Sequence, residues 1–435
     1  MAMLRAGRQC RRIASLSDMS LKEAFFNRSS ELAALRKALH RREGDAAVLA
    51  TMLGPKSSGK TMLMREYCRR QREGMYPGTS TYVNLRDSGL TDPGRLATKL
   101  MGGFLKSLSV FQMRVGFGSD LTGKWALQVG LKDGVDLETP FGFGKFQLFG
   151  KPEPKGIDAV LAALKECCLS WTRIALKGGH TNAFPTIFID EANALMSWAE
   201  TPDGMANLNM LLRCLVAICK EERSSNVVLG SSENFFERWL AKCGALAGHR
   251  VARWYVGHLS EPLAKAYFML RVGEAKQAEV EPLWDAVYRL YGGQMLELNL
   301  LASAIESSEP GEAAEVFEGE AGLSITTAVA NVVSGWSPGK FRSIEGRGNG
   351  LWKPEDWSEV IKVCANAPEG VVSKCELKLP SDHVDSMIEH NCLHVQPVIS
   401  WTERGNPEDD TWPLVMPMTK AEHLAMKRLV RKYSL

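Results

Sequence analysis

Gly54-Pro55-Lys56-Ser57-Ser58-Gly59-Lys60-Thr61 satisfies the spacing G-x-x-x-x-G-K-[ST], a stretch whose backbone can wrap an anion. Glycine at Gly54 and Gly59 lets the chain turn sharply, so that consecutive N–H groups come close to phosphate oxygens. Lys60 is then a mobile point charge for the β- and γ-phosphates, Thr61 offers a hydroxyl to Mg²⁺, and Met62 follows beside the same phosphates. The flanks fit this reading. Ala46 to Leu53 is an apolar run of strand length, and Met62-Leu63-Met64-Arg65-Glu66-Tyr67-Cys68 continues at helical spacing. A helix starting here adds its dipole and unpaired N–H groups to the anion site.

Hydrolysis needs a second element, and Thr186-Ile187-Phe188-Ile189-Asp190-Glu191 has the right form: a β-branched strand ending in two adjacent carboxylates. Asp190 is the expected second ligand to Mg²⁺, opposite Thr61, usually through water. Glu191 is the expected group that polarises an attacking water, because neighbouring side chains on a strand face opposite ways and can take different tasks. Alone, a strand ending in Asp-Glu is a weak signal. Its place about 130 residues beyond a phosphate loop strengthens it.

These residues resemble a family: the additional-strand P-loop ATPases, specifically the archaeal-type ATPases allied to the STAND signalling ATPases and to AAA+ proteins. The resemblance spans Ala24 to Ile305. Phe25-Phe26-Asn27-Arg28, followed by Glu31-Leu32 and Leu35, is similar to the lead-in that lies near adenine, which implies a base-side role for Phe26 and Arg28. Asn226-Val227-Val228-Leu229-Gly230-Ser231-Ser232 resembles the strand that presents a small polar residue to the γ-phosphate, which implies a sensing role for Ser231. A serine capping the next helix would read the same way. Val251 to Val256, then Gly257-His258-Leu259-Ser260, resembles the last core strand and the start of a lid. Family members carry a Gly-Arg pair before that strand. Here His249 is interposed between Gly248 and Arg250, so Arg250 and Arg253 compete for a phosphate-side role, each against an ordinary surface ion pair.

The fold implied is α/β: a P-loop NTPase with a central parallel sheet in the order 5-1-4-3-2, a helical lid and a C-terminal winged-helix-like domain. We expect a basic tail at 1–22 and an ATPase core at 23–258. A glycine-rich hairpin insertion is expected near 114–150, a helical lid at 259–334, a linker at 335–350 and a winged helix at 351–435. Within the lid, Glu309 to Glu320 reads as an acidic, glycine-containing stretch, with a helix expected only from Ile325 to Val333. In the winged helix, helices are expected near Glu355–Cys364 and Ser381–His390, a short strand near Val371, and wing strands at Leu393–Trp401 and Thr411–Met416.

Composition bounds the partners. The chain has 435 residues, 45% hydrophobic and 24% charged, with a net charge of +3, so it carries no global attraction to nucleic acid or an acidic membrane. Ten scattered cysteines without a C-x-x-C pair suggest neither zinc ribbon nor disulfide frame. His383, His390, Cys392 and His394 cluster in sequence, but their spacing fits no common metal site. No apolar run approaches the ~20 residues needed to span a bilayer. An intracellular, cytoplasmic protein is expected. Arg5, Arg8, Arg11 and Arg12, with no acid before Asp18, are also compatible with a mitochondrial transit segment.

The expected function is an ATP- and Mg²⁺-dependent ATPase acting as a switch or remodelling protein, with a protein partner or self-association. One alternative is a nucleic-acid-handling ATPase; another is a non-catalytic nucleotide-binding scaffold. The candidate recognition helix carries Asp382, Asp385 and Glu389 and no lysine or arginine, and the stretch from Leu351 has ten basic against thirteen acidic residues. A duplex with one negative charge per ~1.7 Å would repel that helix, so nucleic acid is disfavoured.

Overall fold

The computed structural model describes residues 28–40, 47–86, 184–233, 235–243, 246, 251–340, 350–396 and 414–433, together with scattered positions between 96 and 172. The basic tail at 1–22, Phe26, Arg250 and the wing tip at 401–413 lie outside the described residues. Of the insertion at 114–150, only the antiparallel pair Asp136–Leu137 and Phe146–Gln147 is described.

The core is a five-stranded parallel sheet. β1 (Leu49–Leu53), β2 (Thr79–Asn84), β3 (Pro185–Asp190), β4 (Asn226–Gly230) and β5 (Ala252–Tyr255) stand in the order β2-β3-β4-β1-β5, which is the expected 5-1-4-3-2 read from the other edge. Parallel strands covered on both faces read as continuous apolar runs, and β3 and β4 are buried along their whole length. Alternation sorts their side chains. Ile187, Ile189, Val227 and Leu229 pack on one face with Leu208, Leu211 and Leu212 of α3 (Pro202–Val216). Phe188 and Val228 point the other way, onto Leu32 and Leu35 of α1 (Ser29–Leu39) and Leu63 and Tyr67 of α2 (Lys60–Arg72). The register brings Asn84 beside Asp190, so β2 and β3 end together at the sheet's C-terminal edge, where ligands of such sheets sit. After β4 comes α4 (Phe236–Lys242).

The lid consists of α5 (Glu261–Val272), α6 (Trp284–Tyr291), α7 (Met295–Glu306) and α8 (Ala313–Ser334). Most of the acidic stretch expected to lie outside a helix, from Ala313 onward, instead forms the first turns of α8. Glu315 in its first turn complements the positive helix N-terminus, and Gly319 and Gly322 face open space. The winged helix follows: α9 (Pro354–Asn366), β6 (Val372–Ser373), α10 (Ser381–Glu389), β7 (Leu393–Gln396), β8 (Leu414–Pro417) and α11 (Lys420–Tyr433), its strands in the antiparallel order β6-β8-β7.

Lid and winged helix share one apolar core, in which Phe268, Trp284 and Leu298 join Trp352, Trp357, Val384 and Met426. The stretch expected to be a linker starts as part of that core. Trp352 Nε1 donates to Gly335 O at 2.9 Å, Trp357 Nε1 to Val332 O at 2.8 Å, and Trp336 Nε1 to Ser358 Oγ at 2.8 Å. Three indoles thus pin the chain across the boundary, each burying a large apolar area while satisfying its one polar atom. Residues 341–349 lie outside the described residues.

Candidate nucleotide site

The loop between β1 and α2 has the geometry its glycines permit. Gly54 has φ 151°, and a Cβ there would stand 2.1 Å from Val256 O, so only glycine lets the loop begin against the exit of β5. Gly59, at φ 93°, is the N-cap of α2. Lys60 is buried, and its Nζ donates to Gly54 O and Pro55 O at 2.8 Å each. Burial brings its pKa down to about 8, against the opposing pull of Glu191 and Asp190. Met62 is half-buried in the first turn of α2, and Lys56 and Ser57 are exposed at the loop's tip.

Asp190 closes the opposite side. It is almost fully buried, and Thr61 Oγ1 donates to its Oδ2 at 2.6 Å. Tyr82 Oη donates to the same oxygen at 2.7 Å, and the backbone N–H of Glu191 donates to Oδ1 at 3.0 Å. Glu191 has φ 55° and ψ 41°, a left-handed conformation costly for a residue with a Cβ and concentrated at functional sites. Its carboxylate meets Arg86 Nη2 at 2.7 Å. Burial raises its pKa above the usual carboxylate range; Arg86 opposes that shift and Asp190 adds to it. Thr61 and Asp190 supply the hydroxyl and carboxylate oxygens that a hard divalent cation takes, so the donor set fits Mg²⁺.

The remaining expected residues divide. Ser231 follows directly on β4 and is fully buried; its Oγ accepts from the N–H of Glu233 at 3.1 Å and donates to Asn193 Oδ1 at 3.3 Å. It therefore caps the following turn, and its N–H extends the pairing with β1 by donating to Met52 O at 3.0 Å. Arg28 is buried, and its guanidinium is bound at Glu31 Oε1, 2.6 Å, at Ser58 O, 2.6 Å, and at Gly257 O, 2.7 Å. It buckles the lead-in, the phosphate loop and the exit of β5 together. Arg253 is exposed and ion-paired with Glu237 of α4. His383 bonds Asp356 at 2.8 Å, His390 bonds Ser386 O at 2.8 Å, and His394 reaches Tyr255. These histidines do not converge, and no cluster of metal-binding side chains occurs among the described residues.

Tyr82, Arg86 and Glu233 escaped the sequence reading. Glu233 lies 3.9 Å from Lys56 Nζ and accepts at 2.9 Å from Asn391 Nδ2, at the start of the wing. Arg238 of α4 pairs with Asp385 of α10 at 2.6 Å, and Lys374 meets the same carboxylate at 2.5 Å. The acidic recognition helix thus faces the ATPase core. For Tyr82 and Arg86 the available signal was positional, since both belong to the strand and exit loop that align with Asp190. For Glu233 it was the two-residue step from Ser231.

Residues 25–301 match the family described as an ATPase domain predominantly from Archaea. No curated protein matches the chain in sequence. Among solved structures, a Walker-type ATPase of Pyrococcus abyssi is 14% identical over 95% of this chain and 99% of that one, with a TM-score of 0.52. The ORC2 protein of Aeropyrum pernix, in ADPNP and ADP complexes, is 11% identical over 97% of both chains, with a TM-score of 0.46. The first of these likenesses concerns the fold. No helix among the described residues is long and apolar enough to cross a membrane. With the family's sequence pattern covering well over half of its length, the chain belongs to this group of archaeal-type P-loop ATPases.

Proposed function

We propose that this protein binds and hydrolyses ATP and uses the cycle to shift its winged helix relative to the ATPase core. The observation that carries the hydrolytic part is the 2.6 Å hydrogen bond from Thr61 to Asp190, which joins the phosphate loop to the acidic strand. Adenine is preferred through the family. In this reading the loop's N–H groups and Lys60 hold the phosphates, Thr61 and Asp190 would hold Mg²⁺, and Glu191 orients the attacking water. Mg²⁺ would supply charge neutralisation on the transferring phosphoryl group. Ser231 stands at the end of the adjacent strand as the residue that meets the γ-phosphate.

The switch part is supported by Glu233, whose carboxylate is shared between Lys56 of the loop and Asn391 of the winged helix. A phosphate on the loop competes for Lys56, so nucleotide state alters the environment of the carboxylate that holds the wing. A ligand shifts an equilibrium only through differential interaction of this kind. A nucleic-acid role gains no support from α10, because Asp385 is committed to Arg238 and Lys374.

Single-turnover hydrolysis of labelled ATP tests the proposal. Lys60→Ala should abolish binding, whereas Glu191→Gln should retain bound ATP and lose cleavage by about a hundredfold or more. Equal cleavage by Glu191→Gln and wild type would remove the catalytic assignment.

A further inference from the structure

Asp190 Oδ2 accepts two hydroxyl protons, one from Thr61 at 2.6 Å and one from Tyr82 at 2.7 Å, while Oδ1 accepts the N–H of Glu191 at 3.0 Å. A carboxylate has about four lone-pair directions, so three fixed donors leave a single direction open. Tyr82 comes from the strand beside β3, in register with Phe188 and two residues before the Asn84–Asp190 pair. The face of its ring lies under the guanidinium of Arg65, 5.2 Å from the ring centroid, and Arg65 belongs to the helix that begins at Lys60. The phenol is therefore held from both sides of the site, by the phosphate-loop helix and by the acidic strand.

We propose that Tyr82 is a positioning residue for divalent-cation binding: its hydroxyl fixes the Asp190 carboxylate so that the one remaining lone pair faces the cation's hydration shell. This rests on the ATPase reading given above. Partners one step removed from a metal's ligands set ligand orientation, and their loss typically weakens metal affinity at least tenfold.

The test is fluorescence titration of the full chain with a fluorescent ADP analogue, in EDTA and across a Mg²⁺ series, for wild type, Tyr82→Phe and Tyr82→Gln. Manganese binding to the protein–nucleotide complex, followed by electron paramagnetic resonance, gives a readout independent of turnover. Tyr82→Phe should bind nucleotide in EDTA within about twofold of wild type and need about tenfold more Mg²⁺ or Mn²⁺ for half-saturation. Tyr82→Gln, which restores a donor, should recover part of that loss. Superimposable metal titrations of Tyr82→Phe and wild type would overturn the assignment while leaving the ATPase reading intact. Wild type with no metal-dependent nucleotide binding would overturn both.

Discussion

Arg86 Nη2 lies 2.7 Å from Glu191 Oε1, so the carboxylate assigned to orient water is held by a largely exposed guanidinium just beyond the neighbouring strand. Burial already favours the protonated form of Glu191, and Arg86 is the main opposing influence. Arg86→Ala should therefore raise the proton affinity of Glu191. Because the water-orienting form is the ionised one, the acid limb of the rate profile should move to higher pH, with turnover at pH 7.5 changed by no more than about threefold. Overlapping profiles for the two proteins would separate Arg86 from the chemistry.

Buried His394 and half-buried His258 stand where the wing meets the exit of β5. Burial holds His258 at about 4, with Arg28 and Lys60 adding to it, and His394 at about 3, with His258 and Lys60 adding to it. Both lie below the ordinary histidine value, so between that value and the folded-state pKa the unfolded chain takes up protons that the native state refuses. The stabilisation is complete above pH ~6.5 and is lost on acidification. For His394 the loss between pH 7.5 and pH 5 is about 2 kcal/mol. The stability difference between wild type and His394→Gln in urea titrations should shift by that amount, against the wild type at pH 5. A pH-independent difference would contradict it.

Gly293 and Gly319 give opposite expectations for the same substitution. A Cβ on Gly293 would stand 1.9 Å from Leu259 O, across the 3.0 Å bond from Leu259 N–H to Gly293 O that joins the lid's glycine pair to the chain leaving β5. Gly293→Ala should cost about 3 kcal/mol or more. Gly319 sits on the open face of α8 with no atom near such a Cβ, and Gly319→Ala should stabilise by about 0.5–1 kcal/mol. Denaturant midpoints of the two variants check both signs.

Arg238–Asp385 and Glu233–Asn391 are contacts between core and winged helix. A half-exposed ion pair contributes at most about 1 kcal/mol, so Arg238→Ala alone should change little. Arg238→Ala combined with Asn391→Ala should broaden the distance distribution between spin labels placed on α3 and α11. ATP bound to Glu191→Gln should broaden it in the otherwise intact protein. Unchanged distributions in both cases would remove the switch.

The phosphate loop and the acidic strand were legible because each is a short pattern whose chemistry depends on local backbone: glycines at two fixed places, a lysine and a hydroxyl beside them, and a buried strand running into two acids. The parallel order of the sheet followed from the family those patterns resemble. Long-range partners were not legible. Tyr82 is 108 residues from Asp190, and Asn391 is 158 from Glu233; no spacing rule connects such positions. The family resemblance implied a base-side role for Arg28, but not its bonds to Glu31 and to the carbonyls of Ser58 and Gly257. The start of the linker was illegible in the same way: Trp352 and Trp357 bond back to Gly335 and Val332, and Trp336 bonds forward to Ser358. The sequence by itself picked out the phosphate-loop and acidic-strand groups proposed to hold phosphate and cation, because each of those patterns is set by residues a few bonds apart. Only the tertiary structure decided what holds the carboxylates in place and what the winged helix rests on, because those contacts exist only after the sheet has aligned its strand ends and the last domain has packed against it.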